Sequence, residues 1–176
     1  MIIYGRVTSE EELNQILALQ QKNLPWVVSS EEKKIEGIVT VCHTLDILRA
    51  MNELCPHIIA KSDGIVIGYA LCMHPKFADA IEVLRPMFDE INVVHPKIKN
   101  YIVMGQICIA KAFRGQGVFR KLYQTMLENI QPEFGLIITE VDAENRRSLQ
   151  AHYSVGFEEF KTYRSGDQNW KLIGLS

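Results

Sequence analysis

The chain has 176 residues, of which 47% are hydrophobic and 23% charged, and these proportions are typical of a globular protein. They exclude disordered and collagen-like classes, and the length predicts one domain over residues 1–176. The formal net charge of −2 argues against a protein that binds nucleic acid through a general excess of positive charge.

The sequence gives no sign of a membrane span, an export signal or a metal site. The longest apolar run, residues 101–110, is far shorter than the roughly 20 residues that a membrane helix needs. Glu10 to Glu12 stand where a signal peptide would have its apolar segment. The 4 cysteines form no Cys-x-x-Cys pair, which favours buried, reduced thiols. We expect a cytoplasmic protein without metal and without membrane contact.

The N-terminal region predicts one strand and two helices. Residues 1–8 have the pattern of a strand. Ser9 and Glu12 then form a capping box that begins a helix over residues 10–22. An apolar stripe at helical spacing predicts a second helix over residues 44–53.

A hairpin and an irregular segment follow. Asp63-Gly64 joins two β-type runs, residues 57–61 and 65–72, and both turn residues tolerate the positive φ that a tight hairpin needs. Residues 75–90 have no single period, and we expect an irregular segment with a helical turn or two.

The middle of the chain predicts a strand, a turn and a helix in direct succession. Residues 101–110 are rich in Ile and Val, which indicates a central strand. The turn Arg114-Gly115-Gln116-Gly117 then opens a helix that runs to Ile130, with apolar residues recurring in steps of one, three and four. A buried strand follows at residues 136–141.

The C-terminal region completes the pattern with a helix and a hairpin. Asn145 is a good N-cap for a helix to about Val155, and Gly156 suits its end. Residues 157–163 and 168–173 form the two arms of the hairpin. The element order predicts an α/β (α+β mixed) fold, in which a mostly antiparallel twisted sheet of about six or seven strands is flanked by about four helices.

The turn before the central helix has the chemistry of an anion site. A helix start carries about four unpaired N–H groups and the positive end of the helix dipole, and glycines let a ligand approach that backbone closely. The turn matches neither the nucleotide P-loop pattern nor the complete dinucleotide fingerprint. An ordinary strand–helix connection remains the alternative reading.

Several spaced motifs share one succession: Ile107-Cys108-Ile109, then Phe113 to Val118, then Glu140-Val141 with Asn145, then Gly156-Phe157. This succession resembles the GNAT superfamily of acetyl-CoA-dependent N-acetyltransferases. The family signature Gln/Arg-x-x-Gly-x-Gly/Ala falls on Arg114, Gly117 and Phe119, and the matched core covers residues 101–157.

The resemblance implies a site for the co-substrate acetyl-CoA. The diphosphate would lie on the backbone N–H groups of Gly115, Gln116, Gly117, Val118 and Phe119. The pantetheine arm would pair with Ile107, Cys108 and Ile109 like an added strand.

Three residues near this site have two readings each. Phe119 stands where the family prefers Gly or Ala, and its place in the apolar stripe favours a side chain in the core over one that crowds the phosphate. Arg114 either adds charge to the site or is a solvated surface residue. Asn145 either contacts the cofactor region or is only an N-cap.

The implied chemistry is the direct attack of an amine on the thioester, which needs a base, an oxyanion donor and an acid for the thiolate. The resemblance implies a strand amide near Ile109 as the donor. The tyrosine that the family frequently uses as the acid falls on His152, and Tyr153 is the next residue. The acid is therefore His152, Tyr153 or neither. Glu140 is the candidate base, and the alternative for this residue is a structural role at a sheet edge or in a salt bridge. A chain of waters could also act as the base.

The acceptor side is the least determined by the sequence. The resemblance places it near six residues, which are Trp26, Glu31, Glu32, Glu158, Glu159 and Asp167. An acidic rim suits a cationic amine, on a small molecule or a peptide. The alternatives are a non-catalytic module that binds coenzyme A or acyl-CoA, and an acyltransferase with another acyl group or acceptor. A homodimer through the C-terminal hairpin is compatible with the pattern.

Overall fold

The computed structural model describes residues 1–24, 27 and 41–176. Seven strands form one sheet in the order β1-β2-β3-β4-β5-β7-β6. Their bounds are β1 Ile2–Arg6, β2 Ile58–Ser62, β3 Ile65–Met73, β4 Tyr101–Ile109, β5 Leu136–Asp142, β6 Glu158–Ser165 and β7 Gln168–Leu175. All neighbouring strands are antiparallel except β4 and β5. The expected mostly antiparallel sheet with one crossover is confirmed.

Five α-helices flank the sheet in the described part of the chain, one more than the sequence predicts. Their bounds are α1 Glu10–Gln21, α2 Leu45–Leu54, α3 Arg85–Val94, α4 Val118–Ile130 and α5 Arg146–Val155. Side chains of Ser9, Thr44 and Asn145 cap α1, α2 and α5 by accepting hydrogen bonds from the first turn.

Helix α3 is the element that the sequence analysis underestimated. It lies in the segment expected to be largely irregular, where short 3-10 turns at Pro75–Phe77 and Glu82–Leu84 precede it. It has no capping side chain, so the strongest start signal is missing, although the proline in its first turn is a residue that helix starts favour. Its buried residues Met87, Phe88 and Ile91 dock it on the sheet, so its stability comes from packing rather than from local signals.

The sheet has a hydrophobic core on each face. Helices α1, α2 and α3 pack with one core, which contains Tyr69, Val103 and Ile138. Helices α4 and α5 pack with the other, which contains Ile102 and Ile137. Neighbours along one strand thus belong to opposite cores, as the period of two in a strand requires.

The sheet forks between its two parallel strands. β4 pairs with β5 only over Tyr101↔Leu136, Ile102↔Ile137 and Val103↔Ile138. Just beyond, Gly105 is an extra residue in β4, since Cys72 of β3 pairs with Met104 whereas Leu71 pairs with Gln106. Such a β-bulge bends its strand, which gives a physical cause for the separation of β4 from β5. The Thr139 hydroxyl donates to the Met104 carbonyl over 2.9 Å at the fork point.

The cysteines partly depart from expectation. Cys55, Cys72 and Cys108 are buried free thiols, whereas Cys42 is exposed, so the expectation that all of them are buried is wrong for Cys42. Cys42 follows the segment that the structure leaves undescribed. No helix in residues 1–24 and 41–176 has both the length and the apolar character of a membrane span.

Candidate active site

A pocket of about 70 Å³ lies at the fork of the sheet. β4 contributes Met104 and Gly105 to its lining, and β5 contributes Thr139 and Glu140. The other lining residues are Val41, Leu84, Met87 and Trp170. Met104 belongs to the core under α4 and α5, whereas Leu84 and Met87 belong to the core on the opposite face. The pocket therefore lies between β4 and β5, and its lining draws on residues of both cores.

Glu140 is the one ionisable group in the described lining of this pocket. Burial raises the pKa of its carboxyl to about 7, although the Tyr163 hydroxyl donates a hydrogen bond to it and opposes that rise. A carboxylate with a pKa near neutrality can accept a proton at physiological pH. β5 is flanked by β4 and β7, and the described residues give Glu140 no ion pair. These facts argue against the sheet-edge and salt-bridged readings.

The turn before α4 leaves open space over its backbone. Gly115 and Gly117 have φ of +72° and +79°, a region that favours glycine, and apart from their chain neighbours no described residue has a heavy atom within 4 Å of where a Cβ would stand on either. No side chain of the described residues caps α4, and its first turn holds no acidic residue. The N–H groups at the start of α4 thus lack a side-chain acceptor, which fits the diphosphate of coenzyme A.

Arg114 and Gln116 shape this turn. The guanidinium of Arg114 donates to the Ile109 carbonyl over 3.0 Å and to Oδ1 of Asn23 over 2.7 Å, so it ties the end of β4 to the end of α1. Gln116 donates to the Ala112 carbonyl over 2.8 Å. The half-buried Arg114 is therefore not a purely solvated residue.

The end of β4 presents its residues to opposite faces. Cys108 is buried on the face of α1, and burial raises the pKa of its thiol to about 11. Ile107 and Ile109 pack on the face of α4. In the described part of the chain no strand pairs with these residues on the side of β5. That open edge, followed by the turn, fits an extended amide-bearing arm.

Gln106 fixes the position of β4 directly after the bulge. Its Oε1 accepts from Nε2 of Gln20 over 2.9 Å and from the Tyr69 hydroxyl over 2.6 Å, and its amide donates to the Val41 carbonyl over 2.8 Å. Gln20 also bonds His43. These polar groups are buried, so the network holds one arm of the fork rigidly.

Phe119 turns into the core, as expected from its place in the apolar stripe. Its half-buried ring packs edge-on against Tyr123 and His152, with centroid distances of 5.2 and 5.0 Å. It belongs with the residues that pack against the core between the sheet, α4 and α5. Asn145 caps α5 by accepting a hydrogen bond from the Ser148 amide over 3.0 Å, which is the N-cap role expected of it.

His152 lies in this aromatic cluster and is 2% exposed. Its Nδ1 donates to the Ser148 carbonyl over 2.7 Å, so its Nε2 accepts from the Tyr123 hydroxyl over 2.8 Å. Burial lowers the pKa of the imidazole to about 4. At neutral pH the ring is uncharged, and both nitrogens are bonded within the protein.

Tyr153 and the expected acidic rim lie at the surface. Tyr153 is 39% exposed, and its hydroxyl donates to Glu159 over 3.1 Å. Glu159 also pairs with Lys171 over 2.8 Å. Glu158 and Asp167 are exposed as well, and neither they nor Glu159 line the pocket. The other expected rim residues, Trp26, Glu31 and Glu32, lie outside the described residues.

Sequence reasoning missed the residues that surround Glu140. Tyr163 and Trp170 face each other across β6 and β7, and Leu84 and Met87 come from the segment before β4. Their only sequence signal was apolar or aromatic character, which is equally typical of core residues. The pairing of β7 with β5 and β6 brings Tyr163 and Trp170 near Glu140. The packing of α3 and the turn before it positions Leu84 and Met87.

Comparison with solved structures finds chains of the same fold. One is in the crystal structure of the NatC complex bound to Gag peptide and CoA, with 20% identity over 99% of this chain and 97% of that one and a TM-score of 0.68. Another is YncA of Salmonella typhimurium with acetyl-CoA, with 15% identity over 99% and 93% and a TM-score of 0.65. A third is the ribosomal-protein-alanine N-acetyltransferase of Brucella melitensis, with 20% identity over 98% of both chains and a TM-score of 0.63.

At these identities the likeness concerns the fold, and the family assignment comes from the sequence. A comparison with curated proteins found no match. The model of the acetyltransferase (GNAT) family, in contrast, matches residues 13–157, which is most of the chain and includes the fork, the turn and α5. The chain therefore belongs to the GNAT family of acetyltransferases, enzymes that take their acetyl group from acetyl-CoA.

Proposed function

We propose that this protein is an N-acetyltransferase that transfers the acetyl group of acetyl-CoA to a primary amine, with Glu140 as the base. The observation that carries the proposal is the pocket at the fork, because it places Glu140 beside Met104 and Gly105 of β4, the strand whose open edge follows. The family match supports acetyl transfer. Two neighbours, one a complex bound to a peptide and CoA and one named a ribosomal-protein-alanine N-acetyltransferase, support an amine on a peptide, and a small-molecule amine is the other acceptor proposed.

The co-substrate would be held by two parts of the chain. The backbone N–H groups of residues 115–119 would bind the diphosphate, and the open edge of Ile107 to Ile109 would bond the pantetheine amides. When bound, acetyl-CoA supplies an activated acetyl thioester. A backbone N–H near Ile109 would donate to the thioester oxygen as negative charge develops on it.

Glu140 would remove a proton from the acceptor. An ammonium group cannot attack the carbonyl carbon until it has lost a proton, and a carboxylate with a pKa near 7 is partly ionised at neutral pH and can take it. The nitrogen–carbon bond then forms, the nitrogen loses its second proton to water, and the carbon–sulfur bond breaks with its electron pair going to sulfur. The amine proton stays on Oε of Glu140 until it exchanges with water.

The thiolate takes a proton from His152, from Tyr153 or from solvent. The family register puts His152 at the position of the acid. Its bonds to Ser148 and Tyr123 use both ring nitrogens, however, and Tyr153 donates to Glu159 at the surface. The described geometry thus gives more support to Glu140 as base than to either residue as acid.

The test combines ligand binding with turnover. Acetyl-CoA at 100 times its dissociation constant should stabilise the protein by about 2.7 kcal/mol, and an added amine should cause release of free thiol. Glu140→Gln keeps an acceptor for the Tyr163 hydroxyl but cannot take a proton. We expect kcat/KM to fall at least 100-fold in this variant while the thermal shift with acetyl-CoA persists.

A thermal shift without thiol release for any amine would favour the rival, a non-catalytic module that binds coenzyme A. Comparison of acetyl, propionyl and longer acyl donors tests the other rival, an enzyme with a different acyl group, since a closed pocket rejects longer chains. A single domain, a cytoplasmic location and a homodimer through β6 and β7 belong to the same proposal. Proteolysis, cell fractionation and size-exclusion chromatography test them.

A further inference from the structure

The described lining of the pocket at the fork contains one carboxylate and mostly apolar side chains. Glu140 is the charged group of its described lining, and the Thr139 hydroxyl is already bonded to the Met104 carbonyl. The remaining side chains are aliphatic, thioether or indole groups. Within the described lining, a ligand in the pocket therefore meets one carboxylate and otherwise apolar walls.

Two of these walls come from the segment between β3 and β4. Leu84 ends the second 3-10 turn, and Met87 lies in the first turn of α3; they are 7% and 1% exposed. Both belong to the core under α1, α2 and α3, so they are fixed by packing rather than free to turn outward. The indole of Trp170 lines the pocket from β7.

Two ion pairs of the described residues link β6 to α3 and to β7. Lys161 bonds Glu90 over 2.5 Å, and Lys171 bonds Glu159 over 2.8 Å. Neither pair lines the pocket. A second positive charge on the acceptor would meet no described anionic side chain in the pocket other than Glu140, and burial of an unpaired charge against apolar walls is costly.

We infer that the acceptor is an amine whose adjoining carbon skeleton is aliphatic and uncharged. This inference rests on the proposed N-acetyltransferase function and names its substrate class. The nitrogen would lie at Glu140, and the aliphatic group would lie against Leu84, Met87 and Trp170. A free alkylamine and the α-amino group of a peptide that begins with an aliphatic residue both have this chemistry.

The experiment compares matched amines on the wild-type protein by thiol release from acetyl-CoA. 3-Methylbutylamine is compared with 1,4-diaminobutane, and a peptide that begins with Leu is compared with the same peptide beginning with Asp or Lys. We expect kcat/KM to be at least tenfold higher for the aliphatic member of each comparison. The stronger of the two aliphatic substrates identifies the source, a small molecule or a chain terminus.

One pair of variants tests the wall directly. Leu84→Glu adds a carboxylate to the pocket, and Leu84→Gln is the matched control of similar shape without charge. Relative to Leu84→Gln, Leu84→Glu should raise the ratio of kcat/KM for the diamine over the alkylamine at least fivefold. Thermal unfolding with acetyl-CoA checks that both variants are folded.

Two outcomes would count against the inference, and they differ. If the diamine or the Asp or Lys peptide is acetylated as well as its aliphatic partner, the inference is overturned and the N-acetyltransferase function stands. If acetyl-CoA stabilises the protein but none of the amines releases thiol, the proposed function itself is overturned and the inference falls with it.

Discussion

Glu140 and Tyr163 form the pair on which the proposed chemistry depends. Tyr163 is 7% exposed, and its hydroxyl donates a hydrogen bond to the carboxylate. This bond stabilises the charged form of Glu140. Burial acts in the opposite direction and outweighs it, since the pKa of Glu140 is raised to about 7. The tyrosine is thus expected to keep that pKa from rising further.

The first prediction is a pH profile. In the wild-type protein, kcat/KM should rise with pH through about 7, because Glu140 accepts a proton only when ionised. Tyr163→Phe removes the donor and should move this limb to higher pH by about half a unit to one unit. Glu140→Gln should lack the limb altogether. A limb near pH 7 that persists in Glu140→Gln would show that another group is the base.

The second prediction concerns the two acid candidates. Tyr153→Phe should leave kcat/KM within about twofold, because the hydroxyl is at the surface on Glu159. His152→Gln should lower the free energy of unfolding by about 1–2 kcal/mol through the loss of buried bonds, with kcat/KM changed less than about fivefold where the variant is folded.

These variants also have a result that would reverse the assignment. A drop of about 100-fold in kcat for His152→Gln, with its melting temperature preserved, would establish His152 as the acid, as the family register implies.

The positions of these candidate residues could be predicted from the sequence, because Glu140, His152 and Tyr153 follow local motifs. The position of Tyr163 could not, since it reaches Glu140 only through the pairing of β7 with both β5 and β6.

At the scale of elements, caps and turns made most of the fold predictable. Ser9 and Asn145 mark the starts of α1 and α5 as expected, and Asp63-Gly64 joins β2 to β3. Helix α3 lacks a capping side chain, and tertiary packing determines it. The bulge at Gly105 was equally invisible, because it is defined by the register of β4 against β3.

The third prediction tests the turn before α4. Gly117→Glu should weaken the binding of acetyl-CoA more than Gly117→Gln does, at least tenfold, because the carboxylate repels the diphosphate. Both variants have the same strain at a φ of +79°, about 1 kcal/mol, so their melting temperatures without ligand should agree. Calorimetric titration measures the difference. Equal affinities of the two variants would place the diphosphate elsewhere.

At the scale of the whole molecule, three buried histidines link folding to pH. His43, His57 and His152 are each less than 9% exposed, and burial lowers the pKa of each to about 4. In the unfolded chain their pKa is about 6.5, so the unfolded state binds more protons between pH 6.5 and 4. The stability that they contribute is present above pH 6.5 and is lost as the pH falls.

The fourth prediction is acid unfolding in that window. Each histidine should remove on the order of 2–3 kcal/mol by pH 4, which together rivals the total stability of a domain. Glu140 has the opposite sign, since its raised pKa costs stability as pH rises from 4.5 to 7. Denaturant titrations from pH 7.5 to 4.5 measure the slope. His57→Gln, which can replace the bonds to Leu48 and Cys72, should flatten it by about a third.

The fork also has a mechanical consequence. In the described part of the chain, three residue pairs are the whole backbone pairing between the half-sheet β1–β4 and the half-sheet β5–β7, and we call them the seam. A ligand arm bonded to the open edge of β4 and lying against β5 would hold the two half-sheets together across that seam. The two halves would then move as one body, and amide hydrogen exchange along both edges would slow together on binding, although no residue of either edge had changed its own fold.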